Sequence, residues 1–206
     1  MKTTSVILVS RLLGFFVVCA VVFSTGQTAG DVVWGLYISS MVSGVVALLL
    51  PLWVLMLSPQ LERKLFPNHE PIEFSWAGRL FSLLVIALFA VGPFLFFMVL
   101  FTPFMIERVE VLGIPDSSES WFVFWRWALQ SYWWMTVIIS VQALYESTLW
   151  IFRGDGAAFF RPYVLILKMF AVVIVSNLGF NFVTIVPLVA ILYLPEDWLI
   201  AKISER

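Results

Sequence analysis

The stretch "VQALYESTLWIFRGDGAAFFRPYVLILKMF", residues 141–170, decides how this chain is read. It contains the end of one apolar run, a short glycine-containing connection, and the start of a second run after Pro162. Gly and Pro punctuate helices by supplying turn conformations and ending hydrogen-bond ladders, so the pattern predicts two helices reversing through a tight turn. Two charges interrupt the apolar surroundings. Glu146 lies six residues before Phe152, and Lys168 six residues after Pro162. At 1.5 Å of rise per residue each is about 9 Å from the turn, so an antiparallel hairpin brings both to one depth.

The same alternation of apolar run and short polar connection continues in both directions. Across 206 residues, 62% are hydrophobic and 12% charged, with a mean hydropathy of +1.00. Soluble domains carry roughly twice that charge, about 25%. A helix must be about 20 apolar residues long to cross a hydrocarbon core of about 30 Å, because its backbone polar groups must all be bonded within the segment. Five runs meet that demand: 6–24, 32–57, 77–101, 129–152 and 163–194. The expectation is an all-α polytopic membrane bundle, a single transmembrane helical domain over residues 1–206 with about five spans.

The first run carries Arg11 and is followed by no small-x-small cleavage pattern, so it reads as a retained span rather than a signal peptide. The fifth run, at 32 residues, would make a helix of about 48 Å, longer than the bilayer requires. Its middle, "SNLGFNF", offers Asn177, Gly179 and Asn181 as turn formers, and Pro187 follows. One long, tilted or kinked span is the primary expectation. The alternative is a re-entrant hairpin whose arms are each too short to span.

Basic residues in short loops set orientation. Lys2, Arg63, Lys64, Arg79, Arg153 and Arg161 fall on the side of the N-terminus, against Arg108 and Arg126 on the other. The N-terminus is therefore expected in the cytoplasm. The chain contains no Asn-x-Ser/Thr sequon, which favours a bacterial cytoplasmic (inner) membrane.

Five of the ten tryptophans lie between residues 121 and 134: Trp121, Trp125, Trp127, Trp133 and Trp134. Indole rings favour the membrane–water boundary, being apolar bodies with one polar N–H, so these residues read as an outer aromatic belt. The outer segment 102–128 includes "PDSSES", whose serines are helix-cap candidates. An interfacial helix over 118–128 and a simple extension of the fourth span are both compatible with it.

The second run displays Gly35, Ser39, Ser40, Ser43, Gly44 and Ala47. Small residues four apart let helix backbones approach closely in lipid, where the hydrophobic drive to associate is weak. They form a helix-packing face, turned either to the chain's own helices or to another chain in an oligomer.

A charge in the hydrocarbon costs about 2.5–3.5 kcal/mol on insertion scales and therefore usually faces a partner. Arg11, near the start of the first run, reaches the depth of Glu146 and Lys168, so the three form a candidate cluster. Structurally this is a clasp that fixes register between helices. Functionally it is a polar site in the inner leaflet, continued by Gln142, one turn before Glu146, and by Asn177 and Asn181.

Several chemistries are excluded. A single histidine, His69, cannot build a bis-histidine haem or multi-histidine metal site, and Cys19 has no second cysteine to pair with. There is no phosphate loop, zinc-protease motif or nucleophile elbow, and no paired aspartates lie within the spans. No catalytic residue, metal or cofactor is expected, and a net charge of -1 without a basic patch argues against nucleic acid. The expected partners are the lipid bilayer, further copies or other subunits of a membrane complex, and a cytoplasmic protein meeting Arg63, Lys64, Arg153 and Arg161. The function expected is a non-catalytic membrane subunit that oligomerises or anchors or regulates a partner, as an envelope sensor or scaffold in a stress or defence system. The alternative is a small oligomeric channel or transporter using the inner-leaflet polar site.

Overall fold

A computed structural model describes residues 3–57, 76–108, 121–153, 161–176 and 182–194. Arg63, Lys64, Asn177 and Asn181 lie outside these residues, as does the side chain of Trp121. All the described elements are α-helices: α1 (Thr3–Thr25), α2 (Ala29–Leu57), α3 (Trp76–Arg108), α4 (Trp121–Arg153), α5 (Arg161–Ser176) and α6 (Phe182–Tyr193). By length and composition, three candidate membrane spans occur among the described residues: Val6–Thr25, Ala29–Leu50 and Phe122–Arg153.

The reversal between α1 and α2 is built from local chemistry. Gly26 takes a positive φ of 66° and the Gln27 N–H bonds back to the Val22 carbonyl at 3.2 Å, closing α1 in a left-handed cap. Two residues on, Thr28 and Asp31 cap α2 reciprocally. The Thr28 N–H and hydroxyl donate to Asp31 Oδ2 at 3.0 and 2.7 Å, and the Asp31 N–H donates to Thr28 Oγ1 at 3.2 Å.

α2 is the axis of the molecule, packing against α3, α4, α5 and α6. Its apolar window is 72% buried against 28% for that of α1, which lies at the periphery against α4 and α6. Side-chain contacts give the directions. Gly35 meets Met135, and Asp31 accepts from the Tyr132 hydroxyl at 3.2 Å, so α2 and α4 run parallel. Gly44 meets Phe94, whereas Tyr37 reaches back to Met98 and Thr102, so α2 and α3 are antiparallel. Arg11 beside Glu146 makes α1 antiparallel to α4. The bundle thus has one end at which α1 and α5 begin and α4 and α6 finish, called the near end below.

The run 163–194 is not one helix. It divides into α5 and α6, which pack against each other, and Lys168 near the start of α5 reaches Leu192 and Leu194 at the close of α6. The expectation of a single long span is corrected to an antiparallel hairpin. Its arms of 16 and 12 residues extend about 24 and 18 Å, short of a hydrocarbon core of about 30 Å.

The expected interfacial helix 118–128 begins outside the described residues, and its described part, from 121, is helical. Residues 121–153 form one element, broken at Tyr132, whose φ of −118° and ψ of 19° are not helical. The hydroxyl of Thr136 donates to the Tyr132 carbonyl at 3.1 Å, a side-chain substitute of the kind that bends helices. Before the break, Trp127 turns inward against the fully buried Trp34 at a ring separation of 6.2 Å, and Phe124 lies 5.7 Å from the same ring. Trp125 and Trp134 are half-buried and pack against the core. Trp133 is exposed. Three residues of the expected belt, Trp125, Trp127 and Trp134, thus pack partly against the core.

Candidate functional site

The three charges expected within the membrane converge on one cleft near the near end, between α1, α2, α4, α5 and α6. It encloses about 90 Å³ of open space, enough for several waters. The pairing differs from a hairpin bond between Glu146 and Lys168. Among the described residues, Glu146 pairs with Arg11: Nη2 donates to Oε2 at 2.7 Å, and Nε lies 3.1 Å from both carboxylate oxygens. Gln142, one turn earlier on α4, donates from Nε2 to Glu146 Oε1 at 3.0 Å. The geometry is that of a guanidinium fork on a carboxylate, the strongest common form of ion pair. Arg11 is 5% exposed, so the pair is held largely out of solvent.

Lys168 does something else. Its ammonium donates to the carbonyls of Leu192 and Leu194 at 2.9 Å each, and Arg11 Nη1 donates to Leu194 O at 3.2 Å. The reason lies at the end of α6. A helix leaves its last four carbonyls without intrahelical donors, and those at the end of α6 meet cations here. Two cations from neighbouring helices supply the donors and also face the negative end of the helix dipole. Arg11 therefore joins α1, α4 and α6 through one side chain, and Lys168 joins α5 to α6.

Close approach makes the cluster possible. A Cβ on Gly14 would lie 2.2 Å from Gln142 Oε1 and 2.8 Å from a Tyr193 ring carbon, so a larger residue there would have to displace the Gln142 amide and the Tyr193 ring. On the opposite wall, Ser43 and Ala47 of α2 line the cleft. At its mouth, the guanidinium groups of Arg161 and Arg153 lie 3.6 and 4.8 Å from the Trp150 ring centre, both within cation–π range.

The small-residue face of α2 turns inward. Gly35, Ser39, Ser40, Ser43, Gly44 and Ala47 are all buried against the chain's own helices. A Cβ on Gly44 would meet the Phe94 ring at 2.1 Å and one on Gly35 the Met135 sulfur at 2.6 Å, while Ser39 Oγ lies 3.4 Å from Thr136 Oγ1. The oligomer reading of that face is corrected accordingly: α3 and α4 occupy the space a second chain would need.

Sequence reasoning passed over Tyr37, Tyr132 and Tyr163. Tyr37 donates to the Met98 carbonyl at 2.6 Å and lies 2.6 Å from Thr102 Oγ1, and the Tyr163 hydroxyl donates to the Ala90 carbonyl beside Pro93. Tyr37 and Tyr163 thus join α3 to α2 and α5, whereas Tyr132 joins α4 to α2 through Asp31. The available signal was the occurrence of Pro93 and Pro103 inside one apolar run, with tyrosines in other runs. No protein-family model, curated protein or solved structure matches the chain.

Proposed function

We propose that the protein is a non-catalytic integral membrane subunit of a bacterial cytoplasmic membrane that anchors or regulates a partner protein, as a scaffold or envelope sensor would. The observation carrying this reading is the filled axis. α2 occupies the centre of the bundle with Trp34, Leu36, Tyr37 and Ile38 at 0% exposure, where a conducting route through one chain would have to run. The polar groups that could have lined a route are used internally, Glu146 by Arg11 and Gln142, and Lys168 by the α6 carbonyls. Charges spent on holding helices together support a rigid platform rather than a carrier, whose site must open and close.

In the proposed orientation the near end faces the cytoplasm, and α5 and α6 form a re-entrant hairpin that returns the chain to that side. The face of α3 carrying Phe81, Leu84, Leu88 and Phe89 is the outermost apolar surface, meeting lipid or a partner helix. Purification from native membranes in mild detergent tests the proposal: a complex of defined stoichiometry with one other protein is expected. Recovery of the chain alone, together with ion flux when it is reconstituted in liposomes, would replace the subunit by the small channel or transporter.

A further inference from the structure

The packing of α3 changes at Pro93. Among its described residues the buried ones are Phe94, Met98, Thr102 and Met105, all past the proline. Gly44 of α2 meets Phe94, and Tyr37 of α2 reaches the Met98 carbonyl and Thr102. Before the proline no described residue of α3 is buried, and Phe81, Leu84, Leu88 and Phe89 are 60–73% exposed. The boundary coincides with a weak point in the helix itself. Pro93 has no N–H, so the Phe89 carbonyl one turn earlier loses its helical donor and is crowded by the ring, which is how prolines bend helices. Gly92 beside it adds backbone freedom, and a Cβ there would meet nothing within 4 Å, so no neighbour presses on the chain from that side. Pro103, by contrast, lies between the buried Thr102 and Met105 and is braced there. One side chain spans the boundary at Pro93. The Tyr163 ring packs edge to face on Phe94, past the proline, at a ring separation of 6.1 Å, while its hydroxyl donates to the Ala90 carbonyl before it.

We propose that α3 is jointed at Gly92 and Pro93: residues 94–108 belong to the fixed bundle, residues 76–91 form an arm that swings against it, and the Tyr163 hydroxyl on the Ala90 carbonyl is the latch that holds the arm in. A single hydrogen bond is a weak enough tie to open and close thermally, whereas the buried residues past the proline hold their half in place. Hinged movement of this kind concentrates the backbone change in a few residues and leaves the rest of each body intact. Tyr163 stands in the first turn of α5, so a displacement of the hairpin of α5 and α6 reaches the arm through the latch. The Arg11 and Glu146 clasp and the buried α2 take no part in the swing, so the joint serves a subunit and a transporter alike.

The test measures distances between paired spin labels by pulsed electron resonance, on the full chain in lipid nanodiscs with Cys19→Ser as background. Leu84→Cys on the arm and Phe97→Cys on the fixed half are each paired with Leu167→Cys on α5. All three native side chains are exposed, so the labels displace no core residue. The arm pair is expected to give a distance distribution several ångström broader than the fixed pair. Tyr163→Phe, which keeps the ring on Phe94 and removes the hydroxyl, moves the arm pair to longer distances and leaves the fixed pair unchanged. Pro93→Ala returns the missing donor to the helix and narrows the arm pair to the width of the fixed one. Should Tyr163→Phe fail to fold, the wild-type widths and Pro93→Ala decide; should Pro93→Ala fail, the wild-type widths and Tyr163→Phe decide. An arm pair as narrow as the fixed pair in both wild type and Tyr163→Phe, or one whose breadth persists in folded Pro93→Ala, overturns the proposal.

Discussion

Arg11 is the residue on which most of the near end depends, because its guanidinium serves Glu146 and the Leu194 carbonyl at once. Removing one member of a buried pair leaves an uncompensated charge and costs about 3–5 kcal/mol, whereas removing both costs less than the sum. Arg11→Met and Glu146→Met are each expected to lower the melting temperature in detergent sharply, with the double variant recovering part of the loss. Strict additivity in that cycle would mean that the two side chains act independently. Gly44 is sensitive for a steric reason: Gly44→Ala drives a methyl into the Phe94 ring and should cost about 1–3 kcal/mol, the usual penalty for overpacking. Gly92→Ala meets nothing within 4 Å and serves as the control, expected to be at least as stable as wild type. Equal melting temperatures for the two would contradict the close packing of α2 on α3.

At the scale of elements, the hairpin of α5 and α6 is the feature with the clearest consequence. Lys168 bonds across it to the end of α6, so Lys168→Met removes a donor from two carbonyls at the close of that helix. Native-state hydrogen exchange should rise in α6 before it rises in α2, since local opening follows the weakest set of contacts; uniform exchange along the chain would count against the capping role. Sidedness gives a second check. In a Cys19→Ser background, Arg153→Cys and Leu194→Cys should react with an impermeant maleimide from one face of the membrane, and Thr25→Cys from the other. Labelling of Leu194→Cys together with Thr25→Cys would make the segment a full span instead of a hairpin. α4 makes a related point on a smaller scale, for its break at Tyr132 tips the tryptophan-rich first turns onto Trp34.

For the whole molecule, the arrangement is a peripheral α1, a central α2, and α3 to α6 distributed around that axis. The buried residues along α2 lead to a plain expectation: proteoliposomes containing the purified chain should show no ion leak above empty vesicles. A leak abolished by Glu146→Gln would instead assign the clasp to transport. The exposed apolar face of α3 is long and aromatic, with Phe89, Phe96 and Phe97 all exposed. In lipid such a face needs no covering, which is why α3 can lie at the rim and still be held by two tyrosine hydroxyls from α2 and α5.

How much of this was legible in the sequence depends on the range of the interaction involved. The helical, membrane-type character, the tight turn after Thr25 and the shared depth of Arg11, Glu146 and Lys168 follow from apolar run length, turn residues and the fixed rise of a helix. These are local quantities, and a sequence states them directly. What needed the tertiary structure was every choice among partners at equal depth or on equal faces. Glu146 had two cations within reach, and packing across Gly14 brought Arg11 to it while the unserved carbonyls of α6 took Lys168. The small residues of α2 could have met another chain, and the Phe94 ring and Met135 took their place. The run 163–194 could have been one helix, and its two halves gained more by packing on each other and on α2. Composition and spacing determine which groups must be satisfied, whereas only the packed structure decides which neighbour satisfies them, because that depends on contacts between residues far apart in the chain.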